Sequence, residues 1–120
     1  MDLDDLIGPL PAPLGRWMLR RMVAASVRYG HDFVVLLVRG ADAEELGRVL
    51  RGADILAHWD DDRLLALLPD TDRAGGERVV ERVREATGAA VGAAHWGGDL
   101  AEDLLERAAR ALDADLAQPA

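Results

Sequence analysis

A turn rich in carboxylates stands out in the segment RGADILAHWDDDRLLALLP, residues 51–69. Asp60, Asp61 and Asp62 follow one another there, and Arg63 comes next. Carboxylate oxygens are the ligands that hard divalent cations prefer, and cations held in this way catalyse phosphoryl transfer. A solvated acidic turn has the same composition. The residues therefore support two interpretations, a metal site and a turn without a ligand, and we favour the second.

Other catalytic residue types are sparse. His31, His58 and His95 lack the spacing of a zinc site. The chain has no cysteine, which excludes a disulfide framework and a thiolate metal site. Its one serine, Ser26, lies inside a predicted helix. Serine catalysis and zinc binding are thus disfavoured, and we predict no cofactor.

Composition narrows the class of protein. A length of 120 residues suits a single domain over residues 1–120. The net charge of −8 opposes non-specific binding to nucleic acid. No apolar run approaches the roughly 20 residues that span a bilayer, and the acidic start lacks the basic region of a signal peptide. We therefore predict a cytoplasmic protein that contacts neither nucleic acid nor membrane.

Four strands are predicted from apolar runs near residues 32–38, 54–59, 63–69 and 88–96. The first, within HDFVVLLV, is continuously apolar, as in a central strand buried on both faces. The second and third would form a hairpin whose turn falls at Asp60 to Arg63.

Four helices are predicted between and around these strands. Residues 11–30 carry Leu14, Trp17, Met18 and Met22 on one face and end at a glycine. Residues 42–50 open with a capping box of an aspartate and a glutamate three positions later. The third helix is predicted to bury three valines, Val79, Val80 and Val83. The last helix is predicted to begin at Asp99 as its cap and to bury four leucines, Leu100, Leu104, Leu105 and Leu112.

The order is therefore helix, then β-α-β-β-α-β, then helix. This order predicts an α+β fold of the ferredoxin-like βαββαβ type, a four-stranded antiparallel sheet with additional N- and C-terminal helices. Unrelated activities share this architecture, so the fold alone does not give the function.

Two long segments resemble the second half of a GGDEF domain, the diguanylate cyclase family: RLLALLPDTDRAGGERVVERVREA and AAVGAAHWGGDLAEDLLERAARALDADL. The segment DDLIGPLP, residues 4–11, is a weaker echo of that family's start. When the chain is aligned on Pro69, the resemblance places the family's Gly-Gly-Asp/Glu-Glu-Phe turn on Asp60, Asp61, Asp62, Arg63 and Leu64.

The resemblance implies a degenerate active site. Asp60 and Asp61 replace the glycines that let the backbone approach phosphates, and Arg63 replaces the second acid. Arg39 stands where the family has a metal-binding aspartate, and we predict that it pairs with Asp62. A GGD triplet also occurs at residues 97–99, where it is predicted to be only a turn and helix cap. We therefore expect no enzyme activity and no metal.

An inhibitory-type Arg-x-x-Asp motif survives. In many GGDEF domains it lies five residues before the signature turn and binds cyclic di-GMP, and Arg51 and Asp54 stand at that distance here. The resemblance adds Arg82 from the following helix, with Arg78 one turn earlier. Arginine suits the guanine O6/N7 edge or a phosphate, and aspartate can accept from guanine N–H groups.

Two hypotheses of different classes remain. One is a non-catalytic regulatory domain that binds cyclic di-GMP through these residues. The other is a structural or protein-interaction module with no nucleotide ligand, a homodimer or the partner of another protein, in which Arg51 is only a helix end and Asp54 a strand start. The second predicts an exposed apolar patch around Trp17 or the last helix.

Overall fold

The structure, a computed structural model, describes residues 8–118; residues 4–7 of the weaker N-terminal echo lie outside them. No helix among the described residues has the length and apolar character needed to cross a membrane. The elements in chain order are α1 (Ala12–Tyr29), β1 (Phe33–Arg39), α2 (Ala43–Val49), β2 (Ile55–His58), β3 (Arg63–Pro69), α3 (Arg73–Thr87), β4 (Ala90–His95) and α4 (Ala101–Leu116).

The four strands form one antiparallel sheet in the order β2-β3-β1-β4. The central pair runs in register from Phe33 opposite Pro69 to Arg39 opposite Arg63. This confirms the predicted α+β fold and its four-stranded sheet. Because β1 and β3 are antiparallel, the residues just before β1 lie next to the residues just after β3, at one end of the two strands.

Helices cover both faces of the sheet, which explains the continuously apolar sequence of the central strands. On one face, α1 and α4 pack on Phe33, Val35 and Leu37 of β1. On the other, α2 and α3 pack on alternate residues of the same strand, and the three predicted valines of α3 are buried there. The Asp42 capping box and the helix end at Gly30 are also as predicted.

β3 begins at Arg63 as predicted, so the predicted turn of Asp60 to Arg63 overlaps the strand at its last residue. The Trp59 N–H donates to the Arg63 carbonyl at 3.0 Å, so Arg63 already belongs to β3 and the turn consists of Asp60, Asp61 and Asp62. Arg63 also lies opposite Arg39 of β1, so it is paired on both sides and forms the first residue of β3.

The buried face of α1 matches the predicted one only in part, since its two methionines pack against the core as predicted. Leu14 and Trp17 are 41% and 52% exposed, whereas Leu19 is fully buried. The helix lies so close to β2 that a Cβ on Gly15 would stand 2.6 Å from the Ala57 Cβ. The glycine faces the sheet because only it permits this approach, and the larger side chains on the other side of the helix stay in solvent.

The start of α4 also corrects the prediction. The helix begins at Ala101 with Leu100 as N-cap, and no side chain caps it. The Asp99 carboxylate instead accepts two bonds from the Arg107 guanidinium, at 3.0 and 2.9 Å, and one from the Gly97 N–H. These charge-assisted bonds outweigh a single cap bond and lower the pKa of Asp99. Leu100 lies outside the helical repeat and is 68% exposed, contrary to the inward position predicted.

Candidate functional site

Three of the predicted ligand residues, Arg51, Arg78 and Arg82, line one groove of about 910 Å³. We call it the arginine groove. Arg51 follows α2, and the other two lie on α3. Side chains four positions apart on a helix share a face, so the inward valines of α3 leave these two arginines on its outer surface. The folded chain therefore brings three arginines to one groove from segments about 30 residues apart.

The two groove arginines of α3 are available to a ligand. Among residues 8–118, neither Arg78 nor Arg82 forms an ion pair. The Arg51 side chain is 56% exposed, and its Nη2 donates to the Thr71 hydroxyl at 3.1 Å. That bond orients the guanidinium and leaves its other N–H groups free. The groove also contains acids, namely Asp32, Asp70, Asp72, Glu81 and Glu85, so an anion would be held at the arginines and not along its whole length.

The fourth predicted residue, Asp54, is not among the groove's lining residues. Its side chain is fully buried, and its Oδ2 accepts from the Arg51 backbone N–H at 2.8 Å. The Asp54 N–H in turn donates to the Arg51 carbonyl at 3.0 Å. Within the described chain Asp54 Oδ1 has no hydrogen bond, and the Arg51 guanidinium lies 3.6 Å away. In this geometry Asp54 closes the turn that carries Arg51.

Two histidine–aspartate pairs border the groove, and neither was predicted from the sequence. His31 Nδ1 lies 3.3 Å from Asp70 Oδ1, and His95 Nε2 lies 2.8 Å from Asp32 Oδ1. The first pair follows from the antiparallel pairing of β1 and β3, which brings the residues before Phe33 next to those after Pro69. The second follows from the pairing of β1 with β4, which places His95 opposite Val34.

The acidic turn lies at the opposite end of β1 and borders a second groove of about 600 Å³. Arg39 Nη2 lies 3.2 Å from Asp62 Oδ2, which confirms the predicted ion pair. Both side chains are about half exposed, 51% and 55%, so this pair contributes only ~0.2–1 kcal/mol.

Arg63 holds the first acid of the turn. Its Nε and Nη2 donate to Asp60 Oδ2 at 2.8 and 2.5 Å, and these bonds lower the pKa of Asp60 from 3.8 to about 2. Two of the three acids are thus paired with arginines of the same chain. Within residues 8–118 no cluster of three or more histidine, aspartate or glutamate side chains is arranged to hold a metal ion.

No protein-family model matches the chain, and no curated protein matches it. Solved structures do. The GGDEF domain of PA1120 (TpbB or YfiN) from Pseudomonas aeruginosa superposes with a TM-score of 0.84 at 17% identity, over 97% of this chain and 89% of that one. The chain has the GGDEF-domain fold. The GGDEF domain of DgcB from Caulobacter crescentus, in complex with c-di-GMP, gives a TM-score of 0.83 at 14% identity, over 90% and 85% of the two chains.

A third GGDEF-fold neighbour is a longer protein. Diguanylate cyclase SiaD from Pseudomonas aeruginosa, in complex with its activator SiaC, gives a TM-score of 0.78 at 22% identity. The match covers 88% of this chain and 54% of that one, so the chain spans about half the length of SiaD. Within the GGDEF fold described here, the β2–β3 hairpin carries the acidic turn, and α3 with the α2–β2 connection carries the arginine groove.

Proposed function

We propose that this chain is a non-catalytic regulatory domain of GGDEF fold that binds cyclic di-GMP in the arginine groove. The observation that carries the proposal is the convergence of Arg51, Arg78 and Arg82 on one groove of about 910 Å³. Such a volume is typical of sites for small ligands. The solved complex of DgcB with c-di-GMP lends support, since that protein shares the fold.

The non-catalytic part of the proposal rests on the second groove. Two-metal phosphoryl transfer requires carboxylates that are free to hold cations. Here Asp62 is paired with Arg39, and Asp60 with Arg63. A triphosphate entering this groove would also meet the charge of Asp61, which forms no ion pair within residues 8–118 and repels it.

We propose that different arginines hold the guanine bases and the phosphates of the ligand. Arg51 donates to the O6/N7 edge of a guanine, and Arg78 and Arg82 on α3 donate to phosphate oxygens. Asp54 keeps the Arg51 turn closed through its bond to the backbone N–H. The resemblance implies that Asp54 accepts hydrogen bonds from guanine N–H groups, and this requires the turn to open. Asp54 Oδ1 is buried and has no hydrogen bond within the described residues, so opening the turn would expose it as the acceptor.

Titration calorimetry with cyclic di-GMP tests the receptor. We expect binding by the native chain and a loss of about 5- to 150-fold in affinity for Arg51→Ala, equivalent to ~1–3 kcal/mol for a bidentate guanine contact. Affinity should also fall with added salt, because cationic side chains meet phosphates.

Arg48→Ala is the matched control for this experiment. Arg48 is a similarly exposed arginine three residues upstream that pairs with Glu44 and does not line the groove. Its variant should bind like the native chain. A flat titration of well-folded native protein, or equal losses for the two variants, would refute the receptor.

A turnover assay tests the absence of catalysis. With GTP and either Mg²⁺ or Mn²⁺, the chain should release no cyclic dinucleotide detectable by chromatography, because two of its three turn carboxylates are paired with arginines. The decisive contrary result is product formation that disappears in Asp62→Ala.

The second candidate, a structural or protein-interaction module, is favoured by one specific observation. Trp17, predicted for such a patch, is 52% exposed, and the ends of the last helix carry two exposed leucines. Both functions fit a regulatory protein in the cytoplasm, and we propose that location.

A further inference from the structure

The exposed apolar side chains of this protein are confined to one helical layer. Within residues 8–118, six large hydrophobic residues are exposed, and all belong to α1 or flank and end α4: Leu14, Trp17, Val27, Tyr29, Leu100 and Leu116. The helices α2 and α3 on the other face of the sheet contribute none of them. A concentration of this kind marks a surface that another molecule covers.

The two helices of this layer carry opposite charge. The sequence of α1 contains four arginines and no acid, in a chain whose net charge is −8. Arg16, Arg21 and Arg28 lie over aromatic rings at 4.5 to 5.6 Å, and Arg20 reaches Glu102 only at 3.9 Å. The layer therefore presents exposed guanidinium groups that lack close acidic partners among the described residues.

The sequence of α4 contains five acids and two arginines. Both arginines are already paired within the chain, Arg107 with Asp99 and Arg110 with Glu106. Asp103 and Asp113 are exposed and form no ion pair within residues 8–118, and the Glu102 side chain is 71% exposed. This helix is an acidic surface that complements α1.

We propose that two copies of this chain associate with α1 of each copy packed against α4 of the other. The two helices contact each other and lie on the same sheet face, so a two-fold axis between them forms both contacts at once. Basic and acidic surfaces then meet twice. The exposed apolar residues at the two ends of α1 lie about 20 Å apart, and those of α4 about 24 Å apart, so they meet as well.

A second copy fits this surface better than an anionic membrane does. The acidic α4 lies beside α1, and the net charge of −8 repels anionic lipid, whereas the same α4 attracts the basic helix of a partner. The pair of helices covers roughly 27 by 20 Å, near the lower limit for a specific interface. We therefore expect a weak dimer with a Kd in the micromolar range.

The proposed dimer is independent of the receptor. The arginines of the groove lie on α3 and the α2–β2 connection, on the side of the sheet opposite α1 and α4, while residues 30–32, which follow α1, line another part of it. Nucleotide binding and association can therefore each succeed or fail in separate measurements.

Charge reversal tests the dimer by sedimentation equilibrium of the full chain. The native protein should approach twice its 13.0 kDa mass at high micromolar concentration. Arg20→Glu with Arg28→Glu on α1, or Asp103→Arg with Asp113→Arg on α4, should each weaken association by at least about 10-fold. Arg48→Glu, on the other sheet face, should leave it unchanged, and circular dichroism verifies that every variant is folded.

Mixing the two reversed proteins gives the sharpest result. Each fails to pair with itself, but together the acidic α1 of one meets the basic α4 of the other, and the two unaltered helices also match. The mixture should therefore form a heterodimer of native-like affinity. A native chain that stays monomeric at several hundred micromolar overturns the proposal, as does a mixture that remains monomeric. Binding of the native chain to phosphatidylserine vesicles with no self-association would assign the surface to a membrane and overturn it equally.

Discussion

Gly92→Ala is expected to destabilise the protein by more than ~3 kcal/mol, a large part of the about 5–15 kcal/mol that stabilises an ordinary domain. Gly92 lies in β4 directly beneath α4. An added Cβ would stand 2.2 Å from both the Ala108 carbonyl oxygen and the Leu112 backbone nitrogen. Backbone atoms cannot rotate away, so the whole helix must rise from the sheet and uncover Leu104 and its neighbours. Urea denaturation followed by circular dichroism measures the loss.

Gly47→Ala is the matched control. Gly47 lies within α2, and apart from its chain neighbours and the adjacent helix backbone, no atom of the described chain lies within 4 Å of the Cβ that the substitution adds. Alanine should raise the free energy of unfolding by about 0.5–1 kcal/mol, because it favours the helix over the unfolded chain. If Gly92→Ala is as stable as the native protein, α4 does not pack on β4 as described.

Phe33→Ala should lower the free energy of unfolding by ~3–5 kcal/mol. Phe33 opens β1, is 1% exposed, and stacks on Trp96 with ring centroids 6.0 Å apart. Its removal leaves a cavity beneath α1 and α4 that the paired strands cannot close. The unfolding midpoint in guanidinium, with tryptophan emission as a second probe, reports the change.

Tyr29→Ala removes an aromatic ring of similar size four residues upstream. Tyr29 is 65% exposed, so its loss should change stability by no more than ~0.5 kcal/mol at concentrations where the chain is monomeric. Equal midpoint shifts for the two variants would mean that Phe33 does not anchor this core.

The candidate sites show where local sequence stops being informative. Arg51 and Asp54 stand at the spacing that the resemblance demands, yet the fold exposes the arginine and buries the carboxylate. The reason is a local bond from the Arg51 backbone N–H that only the turn geometry creates. The pairing of Arg39 with Asp62 was predictable, because neighbouring antiparallel strands bring their ends together. The pairing of Asp60 with Arg63 depends on the exact shape of the turn.

The sequence by itself determined the order and type of the elements. Continuous apolar runs fixed the central strands, and the Asp42 capping box and Gly30 fixed two helix boundaries, because these signals act between residues close along the chain. Only the tertiary structure decided which side of α1 is buried, since this depends on how closely Gly15 of the helix approaches Ala57 of β2. The tertiary structure also pairs Asp99 with Arg107 in place of the expected helix cap, and it places Arg51 in the same groove as the arginines of α3. Such contacts join residues distant in sequence, and hydrophobic periodicity carries no information about their geometry.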